Sequence, residues 1–290
     1  WGEPFMNRSL FEMFRQAKAS GCLVGTTTNG MLLDAGRLER LVNGGVDIVA
    51  FSLAGCGKTN DAVRKGTSLA RLLEVIHRLN RIKGNTGSSR PEIHIAYMLL
   101  RSGLDEIERL PILLAGQGIA QVVVSTLDFV PVPEIAREAL VPSDPDQRAD
   151  LRARLERLVA AGKRSGLEIH CQMADFQAGQ QDDPVPAGPE IVSGLPVQRP
   201  ACTENVRRAA FISAGGYVSP CVYTNLPVAS PSAVPGQGGR PYRPLIFGNI
   251  HDQSLDEIWH SKAYRAFRKG HRSGRLEGPC RGCTKTALVS

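Results

Sequence analysis

No apolar run in the chain approaches the length of a membrane span, so nothing reads as a transmembrane helix. No recognisable nucleic-acid-binding module is present either. The net charge of +7 therefore implies at most an acidic partner, and no nucleic-acid or membrane partner is expected. Much of the excess lies in Lys262–Arg272 and at Arg275, where a solvated helix face accounts for it. A phosphate loop is missing as well. Gly55-Cys56-Gly57-Lys58-Thr59 ends like one, but the pattern requires glycine at position 52, where Ser52 stands. Beyond an alternation of strand and helix there is no internal repeat. An initiator Met is absent, and Trp1-Gly2-Glu3-Pro4 reads as a cut from something longer, which leaves targeting signals unreadable. Seven cysteines in 290 residues do not make a secreted disulfide scaffold. Their C-x-x-C spacing favours metal ligation in a reducing compartment, and a cytoplasmic location is expected.

What is present is a regular alternation. Ser9 to Ser20 reads as an amphipathic helix closed by Gly21, with Ser9 as its cap. Cys22 to Thr27 reads as a strand running into a Thr28-Asn29-Gly30 turn. Helix from Ala35 to Asn43, strand from Val46 to Leu53 and helix from Leu69 to Ile82 follow by apolar spacing. Strand 93–99, helix 104–114, strand 119–126, helix 148–165 and strand 167–171 continue the series. Apolar strands alternating with helices predict a parallel sheet covered by helices, wound as an open sheet or a partial barrel. In such folds chemistry gathers beyond the carboxyl ends of the strands. That directs attention to Gly2-Glu3-Pro4, Thr27-Thr28-Asn29 and the loop from Ser52 to Gly57.

From Phe176 to Pro200 the composition turns to Gln, Asp, Pro and Gly, predicting a linker to a smaller second domain. The domains expected are residues 1–176, a linker over 177–200, and residues 201–290. In the last of these, residues 209–213 and 217–219 read as a hairpin turned at Gly215-Gly216, which would bring Cys202 near Cys221. A helix is expected from about Ser254 to Lys269. Gly278-Pro279-Cys280-Arg281-Gly282-Cys283 aims two further sulfurs at one point, and a metal site usually needs four ligands. Cys202, Cys221, Cys280 and Cys283 suit zinc or an iron–sulfur cluster equally on spacing, with a pair of disulfides as the third option. Cys22 and Cys171 lie in apolar segments and are expected to be buried thiols. Cys56, in a loop at the reactive end of the sheet, is a weak candidate for a catalytic thiol. Glu3 reads as a plain loop carboxylate or equally as the partner of a ligand's ammonium group, and Arg64 as a surface charge or the partner of a ligand carboxylate. His94 and His170 are expected as satisfied wall histidines.

Taken in order, Trp1-Gly2-Glu3-Pro4, Thr27-Thr28-Asn29-Gly30, Phe51-Ser52-Leu53-Ala54-Gly55 and Val63-Arg64-Lys65-Gly66 resemble segments of radical S-adenosylmethionine enzymes. Gly216 to Cys221, Phe247-Gly248-Asn249-Ile250, Ser254 to Trp259 and the Cys280-x-x-Cys283 tail are similar to the SPASM or shortened "twitch" extension. The resemblance implies a partial (β/α) barrel of the TIM-like type with a small C-terminal domain holding an auxiliary [4Fe-4S] cluster on Cys202, Cys221, Cys280 and Cys283. It implies that Gly2 and Glu3 meet the methionine amino group of S-adenosylmethionine. Thr27, Asn29 and Ser52 would lie near its ribose or methionine portion, with Arg64 on its carboxylate. The activity implied is an oxidoreductase or maturase. It would form a 5′-deoxyadenosyl radical and remove a substrate hydrogen, with the auxiliary cluster assisting electron transfer. The family's C-x-x-x-C-x-x-C loop, holder of a second [4Fe-4S] cluster, does not occur in these residues. Its expected place is upstream of Trp1, so these residues alone are expected to be inactive. A peptide substrate is the first expectation, a small molecule being dehydrogenated the second, with a reductant such as flavodoxin or ferredoxin as partner. A non-catalytic iron–sulfur or zinc scaffold is the reading left if the chain truly starts here.

Overall fold

The computed structural model describes residues 2–127, 129–130, 133–172, 199–202, 204–227, 232–233, 244–276, 278–281, 283 and 285–289. Contacts divide the chain into two units, Trp1–Leu127 with Leu140–Cys171, and Asp128–Ala139 with Gln172–Ser290. Residues 177–198 of the expected linker lie outside the described residues.

The first unit is built on one parallel sheet. Its strands are β1 (Gly25–Thr28), β2 (Ile48–Leu53), β3 (Glu92–Leu99), β4 (Gln121–Thr126) and β6 (Glu168–Cys171), in the order β1-β2-β3-β4-β6. Helices α1 (Leu10–Ala19), α2 (Ala35–Asn43), α3 (Lys58–Val63), α4 (Leu69–Thr86), α5 (Leu110–Leu114) and α6 (Pro145–Arg164) lie between or before them. Neighbouring strands are in strict parallel register, Thr27 beside Ala50, Ala50 beside His94 and His94 beside Gln121. Because side chains alternate, Val49, Phe51 and Leu53 of β2 join Ile93, Ile95, Tyr97 and Leu99 of β3 on one face, all buried. The helices' apolar stripes supply the other half of that core, among them Leu38 and Leu41 of α2 and Leu72, Ile76 and Leu79 of α4. The opposite face carries Ser52, His94, Ala96 and Met98, only half-buried.

Local chemistry sets most boundaries. Asp34 caps α2 by accepting from the Arg37 N–H at 2.8 Å, and Asp144 caps α6 through the Gln147 N–H at 2.8 Å. α4 runs four residues beyond the predicted end, to Gly87, whose φ of 66° closes it in the left-handed region. Three expectations are corrected. The helix over 104–114 is a 3-10 segment, Arg101–Arg109, followed by the short α5, because Pro111 has no N–H to give and fits only the first turn of a new helix. Ser9 precedes α1 but makes no capping bond with its side chain. Cys22 is exposed and precedes the strand. Its N–H bonds to the Ala17 carbonyl across Gly21 (φ 77°), which makes it part of the helix end.

In the second unit the predicted hairpin forms as β8 (Phe211–Ile212) and β9 (Tyr217–Ser219), turning through Gly216 with φ 80°, and β11 (Gly248–Asn249) adds antiparallel to β9. β5 (Phe129–Val130) pairs with β10 (Ser232–Ala233). β7 (Arg199–Cys202) pairs antiparallel with β12 (Thr286–Val289), placing Thr286 opposite Cys202. The single helix expected over 254–269 is two, α7 (Leu255–His260) and α8 (Lys262–Arg272). Ser261 between them takes an extended ψ of 151° and caps α8 by accepting from the Tyr264 N–H at 3.2 Å. Among the described residues no helix is long and apolar enough to cross a membrane.

Replacing the exposed cap by Asp34→Ala should lower stability by about 1 kcal/mol, read as an earlier denaturant midpoint at unchanged slope.

Candidate functional site: an acid-bridged loop and a set of four thiols

In the first unit the site lies at the carboxyl end of β1. The Glu3 carboxylate accepts from the Thr28 hydroxyl at 2.7 Å and the Phe5 N–H at 3.1 Å through Oε1. Its Oε2 accepts from the Asn29 N–H at 2.9 Å. The turn that follows is self-bonded. Thr28 Oγ1 accepts from the Gly30 N–H, Asn29 Oδ1 accepts from the Met31 N–H, and Gly30 supplies a φ of 81° against Phe51. The Glu3 loop is thereby tied to the end of β1. Arg64, at the carboxyl end of α3, lies in the field of Glu3. Burial disfavours its charged form, and its Nε is buried without a partner among the described residues. A guanidinium is always charged and donates only, so a buried unpartnered Nε is suited to an anionic acceptor.

Of the expected residues, Glu3 is bonded to the Asn29 N–H, and Arg64 lies within the field of Glu3. Thr27 and Ser52 lie on the half-open face of the sheet, on adjacent strands, and Gly2 is exposed beside Glu3 with φ 110°. Thr28 was included in the loop the sequence pointed to but given no role of its own, and its buried hydroxyl bridges Glu3 to the turn. The signal for it is the pairing of an isolated acid with a strand-end hydroxyl, which only the register resolves.

The loop after β2 is held by Glu106, which accepts from the Cys56 N–H at 3.0 Å and the Thr59 hydroxyl at 2.6 Å, and by Asn60, which accepts from the Ala54 N–H at 2.9 Å. A Cβ on Gly55 would meet the Asn60 nitrogen at 2.5 Å, so this glycine serves close backbone packing rather than a phosphate cradle. Cys56 is buried, with its sulfur 3.9 Å from the Tyr97 hydroxyl, and burial pushes its thiol up to about 11. A catalytic thiol needs the reverse shift, so the weak candidacy of Cys56 is replaced by a core role. His94 and His170 sit beside Glu92 at 3.4 Å and Glu168 at 2.8 Å.

In the second unit Cys202, Cys221, Cys280 and Cys283 are all free thiols. Burial raises the Cys280 thiol to about 12, and the charges of Cys221, Cys283 and Cys202 add to it. Burial likewise raises Cys202 to about 11, with Cys221, Cys283 and Glu204 contributing, and raises Cys221. The four sulfurs thus sense one another inside one partly desolvated neighbourhood. Three elements bring them there: the β8–β9 hairpin carries Cys221, β7 ends in Cys202, and the β7–β12 ladder draws the tail pair back against Cys202. Among the described residues no group of three or more His, Cys, Asp or Glu stands in closed metal-holding geometry. Four soft donors without disulfides fit an iron–sulfur centre or zinc, since both take thiolates.

Comparison with known proteins resolves that choice. Residues 202–284 match the SPASM model, described as an iron–sulfur cluster-binding domain. The chain is 24% identical over 269 residues to the tungsten-containing aldehyde ferredoxin oxidoreductase cofactor-modifying protein of Pyrococcus furiosus, covering 92% of this chain and 67% of that protein. It is 35% identical over 63 residues to pre-heme d1 synthase of Dinoroseobacter shibae, covering 22% of this chain and 16% of that protein. Its fold matches Streptococcus suis SuiB bound to S-adenosylmethionine, with TM-score 0.60 and 13% identity over 92% of this chain and 55% of that one. The match to SuiB bound to the precursor peptide SuiA has TM-score 0.61 and 14% identity over 98% of this chain and 57% of that one. The chain therefore spans little more than half the length of these solved relatives. The C-terminal unit contains a SPASM-type iron–sulfur cluster-binding domain, joined to a parallel α/β sheet. The SPASM match thus covers the C-terminal residues, and the chain as a whole shares the fold of SuiB and is similar in sequence to the cofactor-modifying protein.

The thiol environments make an ordering testable. Iodoacetamide should label exposed Cys22 first and buried Cys56 and Cys171 last, burial having raised Cys171 to about 12. Peptide mapping against time checks this, and early labelling of Cys56 would restore its candidacy.

Proposed function

We propose that this chain forms the substrate-oxidising part of a radical S-adenosylmethionine enzyme, with a peptide as substrate. The observation that carries the reading is the pairing of a tethered acid, Glu3, with the unpartnered Arg64 Nε at the carboxyl end of the sheet. A methionine moiety has an ammonium and a carboxylate a few ångströms apart, and these two side chains offer the complementary charges. Glu3 keeps its position because Thr28 and the Asn29 N–H spend their hydrogen bonds on it. Arg64 gains the anion its desolvation calls for. Thr27 and Ser52, on the half-open face, line the approach for the ribose, and we read that face as the inner wall of a partial barrel.

When bound, S-adenosylmethionine with a reducing cluster supplies the 5′-deoxyadenosyl radical that takes a substrate hydrogen. Cys202, Cys221, Cys280 and Cys283 would hold the auxiliary [4Fe-4S] cluster, and four ligands favour electron transfer over substrate ligation at an open iron. The peptide assignment rests on the fold shared with SuiB, which has been solved with its precursor peptide. The curated relatives are named for cofactor modification and cofactor synthesis, which favours a small molecule as the second reading.

Two measurements test this. Glu3→Ala and Arg64→Ala should each weaken S-adenosylmethionine binding by roughly tenfold or more in titration calorimetry, the scale of a lost charge-assisted hydrogen bond. Unchanged affinity in both would refute the pocket. Anaerobic reconstitution should load about four iron atoms on the four tail thiols, and Cys280→Ser should lose them. Loading should improve as pH rises, because raised thiols must give up their protons to bind metal. Zinc in place of iron and sulfide would overturn the cluster.

A further inference from the structure

Arg268, in α8, presents a charge that the described residues do not balance. Its guanidinium carbon lies 4.0 Å from the centre of the Trp259 ring and 4.7 Å from that of Tyr264. One terminal nitrogen, Nη2, donates to the Trp259 carbonyl at 2.8 Å. The other, Nη1, is buried with no partner among the described residues. No carboxylate there forms an ion pair with Arg268, and Arg265 on its own helix adds repulsion. Two aromatic faces hold a cation in place but do not cancel its charge. A protein seldom keeps such a group unless an anion arrives.

The location says which anion. Tyr264 belongs to the small buried core with Val218 and Ile258, and Val218 lies on β9 three residues before Cys221. The Tyr264 hydroxyl donates to the Ala209 carbonyl at 3.4 Å, at the entry to the hairpin. α8 also packs on β7, the strand that ends in Cys202. Arg268 thus lies over the ring of a tyrosine that packs against the strand leading into Cys221. A four-thiolate iron–sulfur centre is anionic, and Glu204 adds to that charge.

We infer that Arg268, clamped between Trp259 and Tyr264, is the counter-charge of the auxiliary cluster and sets its reduction potential. The inference rests on the cluster reading above and extends it to a residue outside the ligand set. A nearby cation favours the reduced, more negative cluster, so removing the charge makes reduction harder. Arg268 acts as a positioning and tuning residue, since it does not touch substrate.

The test uses the 290-residue chain, reconstituted anaerobically, in the parent, Arg268→Gln and Arg268→Lys forms. Midpoint potentials are read by redox titration of the cluster's absorbance and paramagnetic signal. Arg268→Gln should lower the one-electron equilibrium constant by tenfold or more, which is about 59 mV, while Arg268→Lys stays closer to the parent. The fall in melting temperature caused by Arg268→Gln should be larger in the loaded chain than in the apo chain, because only the loaded state uses the charge. Equal falls in both states with an unmoved potential would overturn the inference and leave the cluster standing. If Arg268→Gln cannot retain iron, Arg268→Lys must retain it, and loss in both variants also overturns the tuning role. A parent chain that takes up no iron and sulfide removes the cluster reading itself, and this inference with it.

Discussion

Desolvation is the constraint on which the C-terminal unit depends. Cys202, Cys221 and Cys280 are partly withdrawn from water, so each thiol holds its proton well above neutral pH. A metal that displaces those protons turns a neutral cluster of side chains into an anionic one. The unit has prepared for that change at two levels. Its backbone draws Cys202 to the tail through the β7–β12 ladder. Its side chains keep Arg268 over aromatic rings and Lys285 over Tyr223, with cation-to-ring distances of 4.0 and 5.2 Å.

The sheet unit applies the same logic with the opposite balance. There the acid is satisfied and the cation is not. Glu3 accepts three hydrogen bonds, which fix the loop before any ligand enters, while the buried Arg64 Nε waits. A rigid acid and an unspent base at a strand end suit recognition of a zwitterion, with little ordering cost left for binding. Glu106 and Asn60 serve the same end indirectly, since they hold the loop between β2 and Arg64.

Much of the first unit was legible because its pattern is strong. Apolar strands and helices with period 3.6 gave every strand of the parallel sheet, and α2 to the residue. The errors fall where a single local group outweighs the pattern. Pro111 split one expected helix and Ser261 split another, each by its own backbone chemistry. Gly21 turned Cys22 outward as a helix end although its neighbours are apolar. The role of Thr28 was not legible because the value of a hydroxyl depends on the acid facing it, and Glu3 is 25 residues away along the chain. β12 was unreadable for a like reason, since its partner β7 lies across the whole second unit.

The sequence by itself determined the alternation of elements, the four sulfurs that belong to one domain and the order of the loops at the carboxyl ends of the strands. These follow from periodicity and from residue chemistry at short spacing, which a linear chain carries openly. Only the tertiary structure decided that Cys56 is buried beside Tyr97, that Arg64 Nε is buried without a partner among the described residues and that Arg268 is stacked on Trp259 and Tyr264. Those are matters of desolvation and of pairing between distant residues, and neither exists until the chain has closed on itself.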